Sequence, residues 1–303
     1  MTDEPNAPER SVIRDHRRQW RDCLYVYPVI SRRSKGLSIG VNLNPLKRCT
    51  FGCLYCQIDR RAARGLDAVD LPTLRRELDL ALAEAAAGRL WDEPRFAPTP
   101  PALRRINDIA FSGDGEPTCL AEFDRAVAVA AEAKAAAGLA DLKLVVITNA
   151  SRLDSPQVAR ALPILDAHNG EVWAKLDAGT DAYFHRVNRP HIKLRLGQVV
   201  ANIAAVARAR PVVIQTLFFR IAGAAPPPEE IAAYCARLRE VLDAGGLIKL
   251  IQLHTIARSP ADPAAGRLSD ADLDAIAAEV RSAVGTVPVE TYPGQDVPTQ
   301  TDS

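Results

Sequence analysis

Apolar residues along this chain switch between two spacings. Leu37, Ile39, Val41 and Leu43 alternate with small or polar residues, the two-residue period of a strand. From Pro72 to Ala87 the apolar positions Leu74, Leu78 and Leu82 form one stripe of a helix, and Pro72 suits its first turn. The exchange continues downstream. Strands are expected at Ile106–Phe111, Leu142–Ile147, Val172–Asp177, Val212–Phe218 and Ile248–Leu253. Helices are expected at Ala121–Ala137, after Ser155-Pro156, and at Leu194–Ala207, Pro228–Leu242 and Ser269–Val284. Gly138 suits a helix C-cap and Ser155 an N-cap. Residues 88–105 hold four prolines and no apolar period, which predicts a long surface loop.

Six strands alternating with helices, without an internal repeat, predict parallel β/α architecture. The spacing alone leaves a barrel and an open sheet both possible. The expected organisation is an N-terminal arm over 1–24, one core over 25–290 and a disordered polar tail over 291–303. Arg10, Arg14, Arg17, Arg18 and Arg21 are scattered among acids in the arm, as in a solvated segment.

Of the 303 residues, 48% are apolar, ample for a sizeable core. With 38 basic against 37 acidic residues the net charge is +1, so no global field argues for nucleic acid. No run of about eighteen apolar residues occurs, and the charged first residues lack the apolar centre of a signal peptide. A cytoplasmic protein without a membrane span is therefore expected.

The candidate chemistry is concentrated in Cys49-Thr-Phe-Gly-Cys53-Leu-Tyr-Cys56. Three thiols on one tight loop make a soft, metal-seeking site and need reducing surroundings. A structural zinc site would want a fourth ligand, and no second close Cys pair follows. His185 and His191, the nearest His pair, have no Cys beside them in the chain. An iron–sulfur cluster on three thiolates keeps one iron open for a substrate or cofactor. Zinc and incidental buried thiols are the alternatives. Cys23, Cys119 and Cys235 are dispersed and are expected to be buried and inert, although a second cluster is not excluded.

The spacing of Cys49, Cys53 and Cys56, with Tyr55 before the last, resembles the signature loop of the radical S-adenosylmethionine (radical SAM) superfamily. The turn Ser31-Arg32-Arg33, the stretch Gly113-Asp-Gly115-Glu116-Pro117-Thr118 and the final strand Leu250 to Pro260 look like the tRNA-wybutosine-synthase-like group. This resemblance implies an α/β fold, a partial (β/α)6 TIM-like barrel. It implies a 4Fe-4S cluster on the three thiols, with S-adenosyl-L-methionine on the fourth iron. It further implies reduction by an external donor such as flavodoxin or ferredoxin, and a 5′-deoxyadenosyl radical that abstracts hydrogen from a small-molecule, protein or tRNA substrate.

By the same resemblance Gly113, Gly115 and Glu116 hold the methionine end of the cofactor, Tyr55 packs near its adenine, and Asn149 and Ser151 meet its ribose or methionine part. Barrel active sites gather at C-terminal strand ends. Lys175 and Asp177, charged at the end of a buried strand, are candidate catalytic residues, as are Gln252, His254 and Arg258. Gln215 and Arg220 are further substrate-side candidates. Arg32 and Arg33 face either an anionic ligand or solvent.

Overall fold

In the computed structural model, residues 18–58, 68–258 and 260–294 are described. Arg10, Arg14 and Arg17 of the arm, and the tail from Gln295 onward, lie outside them. The chain divides into two compact units, one of Met1–Cys49, Ala62–Thr148 and Arg152–Trp173, the other of Thr50–Arg61, Asn149–Ser151 and Ala174–Ser303.

In the first unit, strands β1 (Val26–Ser31), β2 (Gly36–Val41), β3 (Ile106–Phe111), β4 (Lys143–Thr148) and the start of β5 (Gly170–Lys175) follow one another in sheet order. β1 pairs antiparallel with β2, whereas β2, β3 and β4 run parallel. Helices α1 (Leu71–Ala86), α2 (Phe123–Ala136) and α3 (Pro156–Ala167) belong to this unit. α1 buries Leu74, Leu78 and Leu82, each contributing about 2 kcal/mol. Its N-terminus is fixed by Asp70, whose carboxylate accepts from Thr73 N and Thr73 Oγ1. Ser155 precedes α3 as expected, but its hydroxyl makes no cap bond and is buried without a hydrogen-bond partner.

Two expectations need correction here. Residues 88–105 are not simply a surface loop, because two short 3₁₀ turns at Arg89–Asp92 and Pro101–Leu103 fold them down and bury Leu90, Phe96 and Thr99. Burial at three non-periodic positions leaves no mark in a periodicity search. In the arm, Trp20 is buried and its indole donates to Glu93, while Arg21 pairs with Glu84 and Glu93. The arm is thus anchored at Trp20, while Gln19, Arg21, Asp22 and Leu24 stay exposed.

The second unit continues β5 into β6 (Val212–Leu217), β7 (Ile248–His254) and β8 (Val289–Tyr292), with β6, β7 and β8 parallel in that order. Its helices are α4 (Asp181–Val187), α5 (Leu196–Ala209), α6 (Pro228–Asp243) and α7 (Asp270–Val284). Asp177 lies just past β5 instead of within it. The short helix α4 and the strand β8 carry too few apolar positions to show a period, and β8 occupies residues 291 and 292 of the expected tail. A two-residue ribbon pairs Arg220–Ile221 with Ala265–Gly266. Among the described residues no helix is long and apolar enough to cross a membrane.

Candidate functional site

β2 leads into the Cys loop, and its start carries the hairpin turn Arg32–Lys35. Six strand residues, about 20 Å, separate that turn from the loop. Arg32 and Arg33 therefore sit at the start of β2, opposite the end that leads toward Cys49.

After β3, the glycine turn is packed on the segment leading to Cys49. Glu116 N donates to Arg48 O at 3.2 Å, and Asn44 Nδ2 donates to Glu116 O at 3.1 Å. A Cβ on Gly115 would lie 1.9 Å from Arg48 O, and one on Gly113 would lie 2.4 Å from Asn42 Oδ1. Gly115 is thus required by the approach of a backbone carbonyl, and Gly113 by the Asn42 side chain and by its own φ of 155°. Asn42 also donates to Asp114, which Arg18 pairs with as well. Glu116 is 3% exposed, and its Oε1 accepts from Thr118 N, Thr118 Oγ1 and Thr148 Oγ1. Burial, with the negative charges of Glu116 and Cys49 close by, pushes the Cys119 thiol up to about 12. Burial likewise raises Cys23 and Cys235, so all three dispersed thiols stay protonated.

In the second unit, the rest of the Cys loop is clamped along its backbone. His191 N donates to Thr50 O (2.7 Å), Gly52 N to Arg189 O (3.0 Å) and Leu54 N to Val187 O (2.8 Å). Segment 187–191 thus zips onto Thr50–Leu54, with Phe51 bridging Pro190. A Cβ on Gly52 would meet His191 Nε2 at 2.5 Å. The imidazole that had no Cys near it in sequence lies directly on the Cys loop. Phe51 and Leu54 anchor the loop into the core, and Cys56 O accepts from Ala261 N at 2.9 Å.

Asn149 and Ser151 serve the same loop. Asn149 Nδ2 donates to Thr50 Oγ1, Ser151 Oγ lies 2.8 Å from the same hydroxyl, and Ser151 N donates to Asn149 Oδ1. Ala150 between them takes φ 61°, which turns both side chains toward Thr50.

Asp177 is the hub beyond β5. It is 3% exposed and accepts from Tyr55 OH (2.5 Å), Asn188 Nδ2 (3.0 Å) and Leu217 N (3.0 Å), with Lys175 Nζ at 3.2 Å. Four donors compensate a carboxylate that would otherwise be costly to bury. Burial, then the charges of Asp177 and Cys53, holds the Tyr55 hydroxyl well above its ordinary value, so it remains a donor. The Tyr55 ring packs edge-on against Phe219 and lies 5.1 Å from Lys175 Nζ. Asn188, which no sequence pattern marked, also donates to Cys53 Sγ at 3.7 Å.

The expected substrate-side residues separate into two groups. Thr216 bonds Tyr234 of the helix layer, so its neighbours Gln215 and Leu217 face the other side of the sheet. The register places Gln215, Gln252 and Glu290 in one row and Leu217, His254 and Tyr292 in the next. Gln215 Nε2 donates to Gln252 Oε1 at 2.7 Å, and Tyr292 OH donates to Glu290. Glu290 and Tyr292 were missed because a four-residue strand gives no pattern. Arg220 turns away, pairing with Asp272 and donating to Gly223 O. Arg258 follows the end of β7 and is half-buried.

Cys49, Cys53 and Cys56 are each half-buried. The donor set is three soft thiols of one eight-residue loop, which fits an iron–sulfur cluster with an open iron. Among the described residues no three His, Cys, Asp or Glu side chains gather where they would seat a single metal ion.

Solved structures share this fold. Over 89% of this chain it superposes on 70% of a radical SAM methyltransferase from Sphaerobacter thermophilus, with TM-score 0.62 and 14% identity. Over 82% it superposes on 74% of the wybutosine synthase TYW1, solved with a lysine–pyruvate adduct bound, with TM-score 0.53 and 13% identity. The fold is therefore the α/β, partial (β/α)6 TIM-like barrel of the radical SAM enzymes, as the Cys loop implied. In sequence, the chain is 26% identical over 178 residues to a UPF0026 protein of Methanocaldococcus jannaschii, a match covering 59% of this chain and 48% of that protein. The match thus spans about half of that relative's length. No family profile matches the chain.

Proposed function

We propose that this chain is a radical SAM enzyme in which Cys49, Cys53 and Cys56 hold a 4Fe-4S cluster and S-adenosylmethionine binds the open iron. When bound, this pair supplies one chemistry: an electron passed to the sulfonium releases methionine and a 5′-deoxyadenosyl radical that abstracts hydrogen from the substrate. The observation that carries the proposal is the clamped Cys loop, whose backbone is fixed by Val187–His191 and whose Cys53 sulfur receives an N–H from Asn188.

The chain's residues then divide the work. Glu116, buried at the end of β3, is the acceptor for the cofactor's amino group, while Gly113 and Gly115 let its turn lie close to the segment before Cys49. Asn149 and Ser151 act on the cofactor chiefly by holding Thr50. Tyr55 offers its ring to the adenine and is oriented by Asp177. Lys175, Gln252, His254 and Arg258 line the substrate side. The electron comes from a protein donor of the flavodoxin or ferredoxin type, which suits a cytoplasmic location.

The test is anaerobic reconstitution with iron and sulfide, dithionite reduction, addition of S-adenosylmethionine and chromatographic assay of 5′-deoxyadenosine, with Cys53→Ala in parallel. Product that disappears in the variant supports the proposal. A preparation that takes up zinc and builds no cluster overturns it.

A second reading keeps this chemistry and makes a nucleoside in tRNA the substrate. It is supported by the likeness of fold to a wybutosine synthase and by the Glu116-Pro117-Thr118 stretch, whereas Arg32 and Arg33 at the far end of β2 lend it nothing. Binding of bulk tRNA that weakens steeply with salt would favour it.

A further inference from the structure

We infer that the exposed basic surface of residues 185–195, formed by the end of α4 and the loop to α5, is the docking surface for an acidic, one-electron redox protein that reduces this chain. This rests on the radical SAM proposal, since only that chemistry calls for a reductant.

From residue 182 to 228 the chain has no Asp or Glu, yet it has Arg186, Arg189, Lys193, Arg195, Arg208, Arg210 and Arg220. Seven positive charges in one segment stand against a net charge of +1 for the whole protein. Four of them, with His185 and His191, fall within residues 185–195, and all six are exposed. Arg189 is paired with Asp262 at 3.1 Å, while Arg186, Lys193 and Arg195 make no ion pair among the described residues.

This is the same segment that zips onto Thr50–Leu54. Its inner side donates from Asn188 to Cys53 Sγ, and its outer side presents the cations. A protein seated on those cations rests on the segment whose Asn188 donates to the Cys53 sulfur. Electron tunnelling falls exponentially with distance, so this is a short route for an electron. At the interface the partner loses one electron and the loaded site gains one, and no proton or group is transferred.

The size of the patch favours a redox protein over RNA. Electron-transfer encounters occupy small, polar interfaces, and opposite charge raises their rate of association. An RNA held by its backbone commonly engages about 6–10 phosphates along a longer track. The next cations, Arg208 and Arg210, lie at the other end of α5, about 20 Å away.

The experiment uses the reconstituted full chain, with an acidic bacterial flavodoxin and bulk tRNA as probes at low and high salt. It compares wild type, the double variant Arg186→Glu/Lys193→Glu and the control Arg208→Glu, with Arg186→Gln/Lys193→Gln as a milder pair should the first fold poorly. The expected result is flavodoxin affinity and flavodoxin-driven reduction at least tenfold weaker in the double variant, with the control and dithionite-driven activity unchanged. Equal losses in the control, no flavodoxin binding to wild type, or loss of tRNA binding with flavodoxin binding retained would each overturn the inference. Failure of the dithionite arm in every protein would instead sink the radical SAM proposal and is read separately.

Discussion

The amide nitrogen of Asn188 lies between two acceptors, 3.0 Å from Asp177 Oδ2 and 3.7 Å from Cys53 Sγ. The carboxylate requires a donor there, so the orientation of the amide is set by Asp177 and its N–H is presented to the sulfur. Hydrogen bonds to cysteine sulfur stabilise the electron-rich, reduced form of a cluster. Asn188→Ala is therefore expected to lower the midpoint potential of the reconstituted cluster while leaving its iron content intact. A redox titration followed by electron paramagnetic resonance reads this directly. An unchanged potential would mean that the contact has no electronic consequence.

Asp177 gathers Tyr55, Asn188, Lys175 and Leu217 N at one carboxylate. Its removal strands several buried donors together. Asp177→Ala should cost about 3–5 kcal/mol in urea unfolding of the metal-free protein, and Asp177→Asn, which keeps the shape and one acceptor oxygen but not the charge, distinctly less. Equal and small losses would show that the hub is not structural.

At Gly115 an added methyl collides with a backbone carbonyl instead of a flexible side chain. Gly115→Ala should destabilise the metal-free protein by about 2–3 kcal/mol. The same denaturation assay tests it, and a neutral substitution would show that the turn can move away from Arg48.

Glu116 holds its own turn through Oε1, and the proposed role asks it to hold the cofactor as well. Glu116→Gln retains an acceptor for the threonines, so stability should change by less than about 1 kcal/mol. Affinity for S-adenosylmethionine, measured by calorimetry on the loaded protein, should fall at least tenfold. A variant that binds as well as wild type would leave Glu116 as a structural clamp only.

In β3, burial raises the Asp108 carboxyl to about 6, despite the Ser38 hydroxyl that donates to it and the charges of Lys143 and Arg33. A carboxyl that binds its proton more tightly when folded stabilises the protein below its unfolded value of 3.8, and that stability is lost as pH rises through about 6. Urea unfolding should show a decline of on the order of 3 kcal/mol between roughly pH 4 and 6, and Asp108→Asn should lack it.

The three thiols, the strand leading to them and most of the β/α alternation were legible in the sequence, because each is a local pattern of period or spacing. β1, α4 and β8 were not recognised as elements, since segments of four to seven residues are too short to show a period. The roles of Asn149 and Ser151 were also hidden. Their partner Thr50 is about a hundred residues away in the chain, and only folding brings the hydroxyl to them.

By itself the sequence determined the donor chemistry: three thiols on one loop, with glycines and a glutamate after the next strand. Tertiary structure alone decided what surrounds those groups. It sent Arg32 and Arg33 to the wrong strand end for the Cys loop, turned Arg220 toward Asp272, and laid residues 187–191 along Thr50–Leu54. The physical reason is that backbone pairing and strand register connect residues by geometry. A segment more than a hundred residues from Cys53 in sequence can therefore pair with its loop and donate to its sulfur.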